Sequence, residues 1–166
     1  FIILRPVSGQ TARMQTFVRE AGRADLETIV RLFAIPGEGN ARDADATFPL
    51  EPCYLDALDE VTRDPNQALL VAEGEGRVLG VLQLTFIRHV GYRGGRVAQI
   101  ENVIVAPEAR SRGVGSVLMQ EAIARARAAG CFRVQLTSNN ARTRAHVFYE
   151  RLGFLRSHQG MKLALS

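Results

Sequence analysis

The run Arg110-Ser111-Arg112-Gly113-Val114-Gly115-Ser116 carries the most chemical information in this sequence. It follows a strand-like stretch, Ile100 to Val105, and a short loop containing Pro107, and it leads into a helical pattern. A helix start presents unpaired amides and the positive end of the helix dipole, which suits a phosphate. Gly113 and Gly115 would let the backbone approach such a ligand with no Cβ in the way. Two other phosphate loops fail here. Leu118 stands where the third glycine of GxGxxG belongs, and no Gly-Lys-Ser/Thr of a Walker A loop occurs. A glycine turn that only caps a helix fits the segment, taken alone, equally well.

Other chemistries find less support. His89, His146 and His158 lack metal-ligand spacing, and no HExxH-type pair exists, so no metal site is expected. No Ser or Cys has a recognisable base partner, which argues against an acyl-enzyme. Cys53 and Cys131 are not in CxxC spacing and read as reduced, mostly buried thiols.

The elements that would position the turn follow from periodicity. Gln15 to Glu20 reads as a strand. A helix beginning at Asp25-Leu26 has the apolar face Leu26, Ile29, Val30 and Phe33. Residues 34–52 are loop-like, and a second helix around Tyr54 to Val61 must stop before Pro65. Strands at 68–73 and 78–88 flank Gly74-Glu75-Gly76-Arg77, where both glycines are expected to supply positive φ. A Gly-rich loop (Gly91, Gly94, Gly95) precedes a strand at 97–105. The helix over 114–129 should bury Val114, Val117, Leu118, Ala122, Ala126 and Ala129. A strand at 132–137, a helix at 143–152 and a last strand pair around Phe154 and Met161 to Ala164 complete the chain. The order β-α-α-β-β-β-α-β-α-β predicts one α/β domain with a mixed central sheet and helices on both faces. Met14 is a candidate natural start, making 1–13 an extension and 14–166 the domain.

Arg110-x-x-Gly113-x-Gly115, after a strand and Pro107, resembles the [Q/R]xxGx[G/A] pyrophosphate motif of the GNAT N-acetyltransferases. About 30 residues on, Ala145-His146-Val147-Phe148-Tyr149-Glu150-Arg151-Leu152-Gly153-Phe154 is similar to that family's AxxFYxxxGF helix and following strand. The two motifs in this order extend the resemblance over about residues 15–166.

The resemblance implies acetyl-CoA as co-substrate. Amides from Ser111 to Ser116, with Arg110, Arg112, Gly113, Val114 and Gly115, would hold its pyrophosphate. The backbone of Val103, Ile104 and Val105 would pair with the pantetheine arm, on a strand that splays from its neighbour. Glu101 would take the proton of the attacking amine through a water, and Tyr149 would protonate the leaving sulfur. A phenol is protonated at neutral pH and able to donate. A solvated carboxylate, or an ion pair with Arg96, is the plain alternative for Glu101; a core tyrosine is that for Tyr149. The oxyanion donor would be a backbone amide near Val103 or Ile104. Many family members carry Asn where Arg142 stands, so Asn139 just upstream is carried as a weaker cofactor contact. The run Ser138-Asn139-x-x-Arg142-x-x-Ala145-His146 resembles a branch that includes aminoalkylphosphonate acetyltransferases. Arg88, His89 and Arg93 could receive a substrate anion, or form a solvated basic loop.

The net charge of +4, from 21 Lys+Arg against 17 Asp+Glu, could attract an anionic ligand. The arginines are scattered without interleaved aromatics, so no nucleic-acid partner is expected. No apolar run reaches the roughly 18 residues of a membrane span, and no signal-peptide pattern occurs, so a cytoplasmic protein without a membrane partner is expected. The expected partner is a small-molecule amine, and a homodimer is left open. The competing readings are a non-catalytic acyl-CoA sensor and an acetyltransferase acting on a peptide amine.

Overall fold

The computed structural model describes residues 15–36 and 43–165. The proposed extension 1–13 and the start of the first loop, 37–42, lie outside the described residues. Strand β1 (Phe17–Glu20) is followed by a 3-10 turn (Arg23–Asp25) and α1 (Leu26–Phe33). Helix α2 spans Pro52–Arg63, with proline in its first turn, where a missing N–H costs nothing. It gives way to extended backbone at Asp64, as the following Pro65 requires. Strands β2 (Gln67–Gly74) and β3 (Arg77–Arg88) form a hairpin, and a single turn, α3 (Gly91–Gly94), leads to β4 (Arg96–Val105). Then come a 3-10 turn (Pro107–Ala109), α4 (Val114–Ala128), β5 (Cys131–Leu136) and α5 (Thr143–Arg151).

The strands form one sheet in the order β1-β2-β3-β4-β5, antiparallel from β1 to β4, while β4 and β5 are parallel. Side chains alternate across a strand, so each face of the sheet has its own helices. A Cβ on Gly80 would meet Leu118 of α4, which puts α4 on the face shared with Ala72, Gly80's register partner. The neighbouring residue of β2 on the other face, Leu69, packs with Leu26, Val30 and Leu58 of α1 and α2. Helices therefore cover both faces.

Helix α4 buries Val114, Leu118, Met119, Ala122 and Ala126. The seam thus runs along the i, i+4 row and includes Met119, whereas Val117 and Ala129 are only half-buried. Burying Leu118 and Met119 completely contributes about 1.5–3 kcal/mol each.

Four local expectations are corrected. The β2–β3 turn has its positive φ at Glu75 (55°) and Gly76 (69°), not at Gly74, which is in the ladder opposite Arg77. A two-residue hairpin that follows the strand twist needs both central residues there. In α3, Tyr92 and Arg93 hold left-handed φ of 51° and 56° despite the flanking glycines. Cys53 is exposed rather than buried. The last strand pair is absent among the described residues: 154–165 make no ladder, and Leu155, Met161, Leu163 and Leu165 are 85–93% exposed. Ser157 instead bonds locally, its N–H donating to Leu155 O at 3.1 Å and its Oγ sitting 2.8 Å from His158 Nδ1. Such local bonds compete with a ladder.

Candidate active site

The parallel ladder between β4 and β5 runs from Arg96↔Cys131 to Ile100↔Leu136 and ends there. From Glu101 to Val105, β4 is paired only with β3. Within that stretch Val81 pairs with Ile104 but Gln83 with Glu101, so Asn102 and Val103 together oppose Leu82. This is a β-bulge, and Asn102 takes the left-handed φ of 55° that Asn tolerates. The bulge bends β4 where its β5 neighbour leaves, and a cleft opens between the two strands.

That cleft, open to solvent, is lined by Ile100, Glu101, Asn102, Val103, Ile104, Leu136, Thr137, Arg142 and Tyr149. The two proposed catalytic residues therefore share one cleft with two of the three proposed pantetheine-strand residues. Glu101 is exposed and takes part in none of the salt bridges found among the described residues, so the ion pair with Arg96 does not form. Tyr149 is 7% exposed, and burial pushes its phenol above the ordinary value of 10 while the Arg142 charge pulls the other way. The phenol is therefore a donor at neutral pH.

Tyr149 is held by aromatic packing. Its ring centroid lies 5.3 Å from that of Phe148 and 6.0 Å from that of Phe154, and Phe154 N–H donates to Tyr149 O at 3.1 Å. The two neighbouring rings thus fix the Tyr149 ring beside the cleft.

The glycine turn lies at the other end of the bare β4 segment. Gly113 is the N-cap of α4 with φ 87°, and no side chain caps the helix. Val117 N–H closes onto the turn, donating to Gly113 O at 3.1 Å. The amides before it have no partner within the helix. A Cβ on Gly113 would meet nothing within 4 Å, so the space over these amides is open. Uncapped amides, an open approach and a 15-residue helix dipole fit a pyrophosphate. Ser111, Arg112 and Gly113 are exposed, Gly115 and Ser116 half-buried, and Val114 points into the core, leaving only its backbone for a ligand. Arg110 is exposed and donates from Nε to Val105 O at 3.2 Å, tying the turn to β4.

Gly115 lies in a close-packed place at the start of α4. A Cβ there would lie 3.3 Å from Phe148 Cζ and 3.6 Å from Val105 Cγ2, so glycine lets α4 approach α5 and β4. Asn139 is exposed, and its Oδ1 accepts from Ala141 N–H at 2.9 Å, a turn-forming bond outside the cleft lining. Arg88 and Arg93 lie around the start of β4, five or more residues before Glu101. At about 3.3 Å per residue that is roughly 16 Å along the strand. Asn102, Leu136, Thr137 and Arg142 are cleft residues that sequence reasoning did not assign; the Asn beside Glu101 was the one visible sign of the bulge.

Comparison with known proteins agrees with this geometry. The model of the acetyltransferase (GNAT) family matches residues 38–154, and the chain belongs to that family. It is 34% identical over 95 residues to an aminoalkylphosphonate N-acetyltransferase of Salmonella typhimurium, covering 57% of this chain and 61% of the relative. It is 37% identical over 91 residues to a glucosamine 6-phosphate N-acetyltransferase of Trypanosoma brucei brucei, covering 54% and 59%. The match thus spans about three-fifths of each curated relative. A solved structure from Bacillus halodurans C-125, described as a transcriptional regulator, superposes with a TM-score of 0.85 at 38% identity, covering 91% of this chain and all of that one. Among the described residues no helix is long and apolar enough to cross a membrane.

Proposed function

We propose that the protein transfers the acetyl group of acetyl-CoA to the primary amine of a small molecule bearing a phosphonate or phosphate group. The observation that carries this is the convergence of Glu101 and Tyr149 on one cleft, at the end of a bare β4 edge that leads to an uncapped helix N-terminus. The phospho group is supported by the two curated relatives, both named for substrates that combine an amine with a phosphonate or phosphate.

Acetyl-CoA supplies an activated acyl group as a thioester. Residues 111–116 hold its pyrophosphate through their amides, and the bare backbone of Val103 to Val105 receives the pantetheine arm. Glu101 accepts the amine proton through water, and its exposure leaves room for that water. The bulge turns a backbone amide near Val103 or Ile104 toward the carbonyl oxygen. Tyr149 donates its hydroxyl proton to the departing sulfur. Without an acyl-enzyme, the amine attacks directly in a ternary complex.

The test is acetyl-CoA consumption with 2-aminoethylphosphonate, glucosamine 6-phosphate, a polyamine, an aminoglycoside and a peptide N-terminus. Turnover confined to the first two supports the reading; equal turnover of the peptide overturns the substrate class. A second reading, an acyl-CoA sensor without turnover, draws on the name of the Bacillus halodurans structure. It requires acetyl-CoA binding with no amine consumed.

A further inference from the structure

The cleft holds one cation, and the mechanism above leaves it without a task. Arg142 is the N-cap residue of α5 and lines the cleft together with Glu101 and Tyr149. Arg142 precedes Tyr149 by seven positions, about two helical turns, and both line the cleft. Its guanidinium takes part in no side-chain hydrogen bond or salt bridge found among the described residues. The carboxylate on its own helix, Glu150, is paired with Arg156 at 2.7 Å. Besides Tyr149, the lining includes Glu101 of β4, Arg142 at the N-cap of α5, and the uncharged Leu136 at the end of β5 with Thr137 just beyond it. Arg142 is half-buried in the cleft, so its charge is only partly screened by solvent.

We infer that Arg142 is a positioning residue for the acid step, its guanidinium steadying the negative charge that develops on the Tyr149 oxygen as the proton leaves. This rests on the acetyltransferase reading. In the step, the amine nitrogen bonds to the acetyl carbon and the carbon–sulfur bond breaks, its electron pair going to sulfur. Sulfur takes the Tyr149 hydroxyl proton and departs as the thiol. The phenolate left behind shares the cleft with Arg142 and recovers a proton from solvent, which balances the one released by the amine. Burial alone opposes that phenolate. The Arg142 charge, lining the same cleft, opposes part of that penalty, although burial still holds the phenol above its ordinary value.

The experiment compares wild type, Arg142→Gln, Arg142→Lys, Tyr149→Phe and the Arg142→Gln/Tyr149→Phe double variant, with acetyl-CoA and 2-aminoethylphosphonate. Arg142→Gln should lower kcat by up to about tenfold for each unit by which the phenol pKa rises, with the acetyl-CoA KM changed less than twofold. Arg142→Lys should restore most of kcat. The double variant should lose no more than Tyr149→Phe alone, because the arginine acts through the hydroxyl. In the ligand-free protein, ultraviolet difference titration should show the Tyr149 phenol, identified by its loss in Tyr149→Phe, ionising at higher pH in Arg142→Gln.

Unchanged kcat in Arg142→Gln overturns the inference, as does a raised acetyl-CoA or amine KM that is additive with Tyr149→Phe, which would make Arg142 a ligand contact. Absence of turnover by wild type with every amine removes the acetyltransferase reading instead. The ligand-free titration then still decides whether Arg142 acts on the phenol.

Discussion

At the residue scale, the proposed proton transfers would fall to an exposed carboxylate and a buried phenol. Glu101 is exposed and Tyr149 is 7% exposed, at opposite walls of one cleft. Tyr149→Phe keeps the ring contacts with Phe148 and Phe154 and removes only the hydroxyl. Melting temperature and acetyl-CoA affinity should hold, while kcat falls by roughly the 10²–10⁴ typical of a lost general acid. Wild-type turnover in this variant would make Tyr149 a packing residue. Glu101→Gln separates two roles for the carboxylate. A base role lowers kcat at nearly constant amine KM, with partial rescue at high pH where the free amine is abundant. A binding role raises the amine KM and leaves kcat intact. The first pattern is expected, because no cation holds Glu101 in a fixed ion pair. A pH–rate profile matching wild type in both parameters would leave bulk water to take the proton.

Elements decide where those residues meet, and here the sequence was legible in part. Hydrophobic pattern located both flanking strands, α4 and α5: α4 buries one regular face, and the strands are short apolar-rich runs bounded by loop residues. The divergence of β4 from β5 came from family resemblance, since main-chain pairing leaves little trace in Val103 and Val105. The bulge at Asn102 went unread because a single Asn inside a strand looks like an ordinary polar position. The strand pair at the end misled for the converse reason: Met161, Leu163 and Leu165 alternate as a strand should, yet no ladder receives them among the described residues. Gly113 and Gly115 looked interchangeable in sequence, and the structure separates them. Acetyl-CoA at a hundred times its Kd should stabilise the protein by about 2.7 kcal/mol. Gly113→Ala places its Cβ in the open space over the amides, at a φ of 87°. It should cost about 1–2 kcal/mol of stability and remove most of the acetyl-CoA shift. Gly115→Val would press on Phe148 instead and perturb Tyr149 through its neighbour. Retention of the full thermal shift in Gly113→Ala would move the pyrophosphate elsewhere.

For the whole molecule, the site depends on a sheet whose two ends are held differently. At the cleft end, β4 gives up β5 to expose its backbone. At the far edge, β1 is short and is fastened by charge: Arg19 donates to Asp25 at 2.7 and 2.8 Å and to Glu73 of β2 at 2.7 Å. Gly22 N–H adds a 2.7 Å bond to Asp25. One arginine thus joins β1, β2 and the start of α1. The Arg19 hydrogen bonds hold the Asp25 carboxyl below its usual value of 3.8, outweighing the upward push of burial. The sign follows from proton counting. Between the folded pKa and about 3.8 the unfolded chain binds more protons than the native one, so stability rises with pH across that window. Asp25's contribution is fully present above its unfolded pKa and is lost as pH falls through the lower, folded value. Asp25→Asn should cost about 1.5–3 kcal/mol near neutral pH, toward the lower end, because the Arg19 side chain is 37% exposed and screened by solvent. The variant's stability should fall less steeply than wild type's below about pH 4. Chemical unfolding of both proteins across acid pH measures this. Parallel acid limbs would show that Arg19 and Asp25 contribute no net stability, leaving β1 held to the sheet by its ladder with β2.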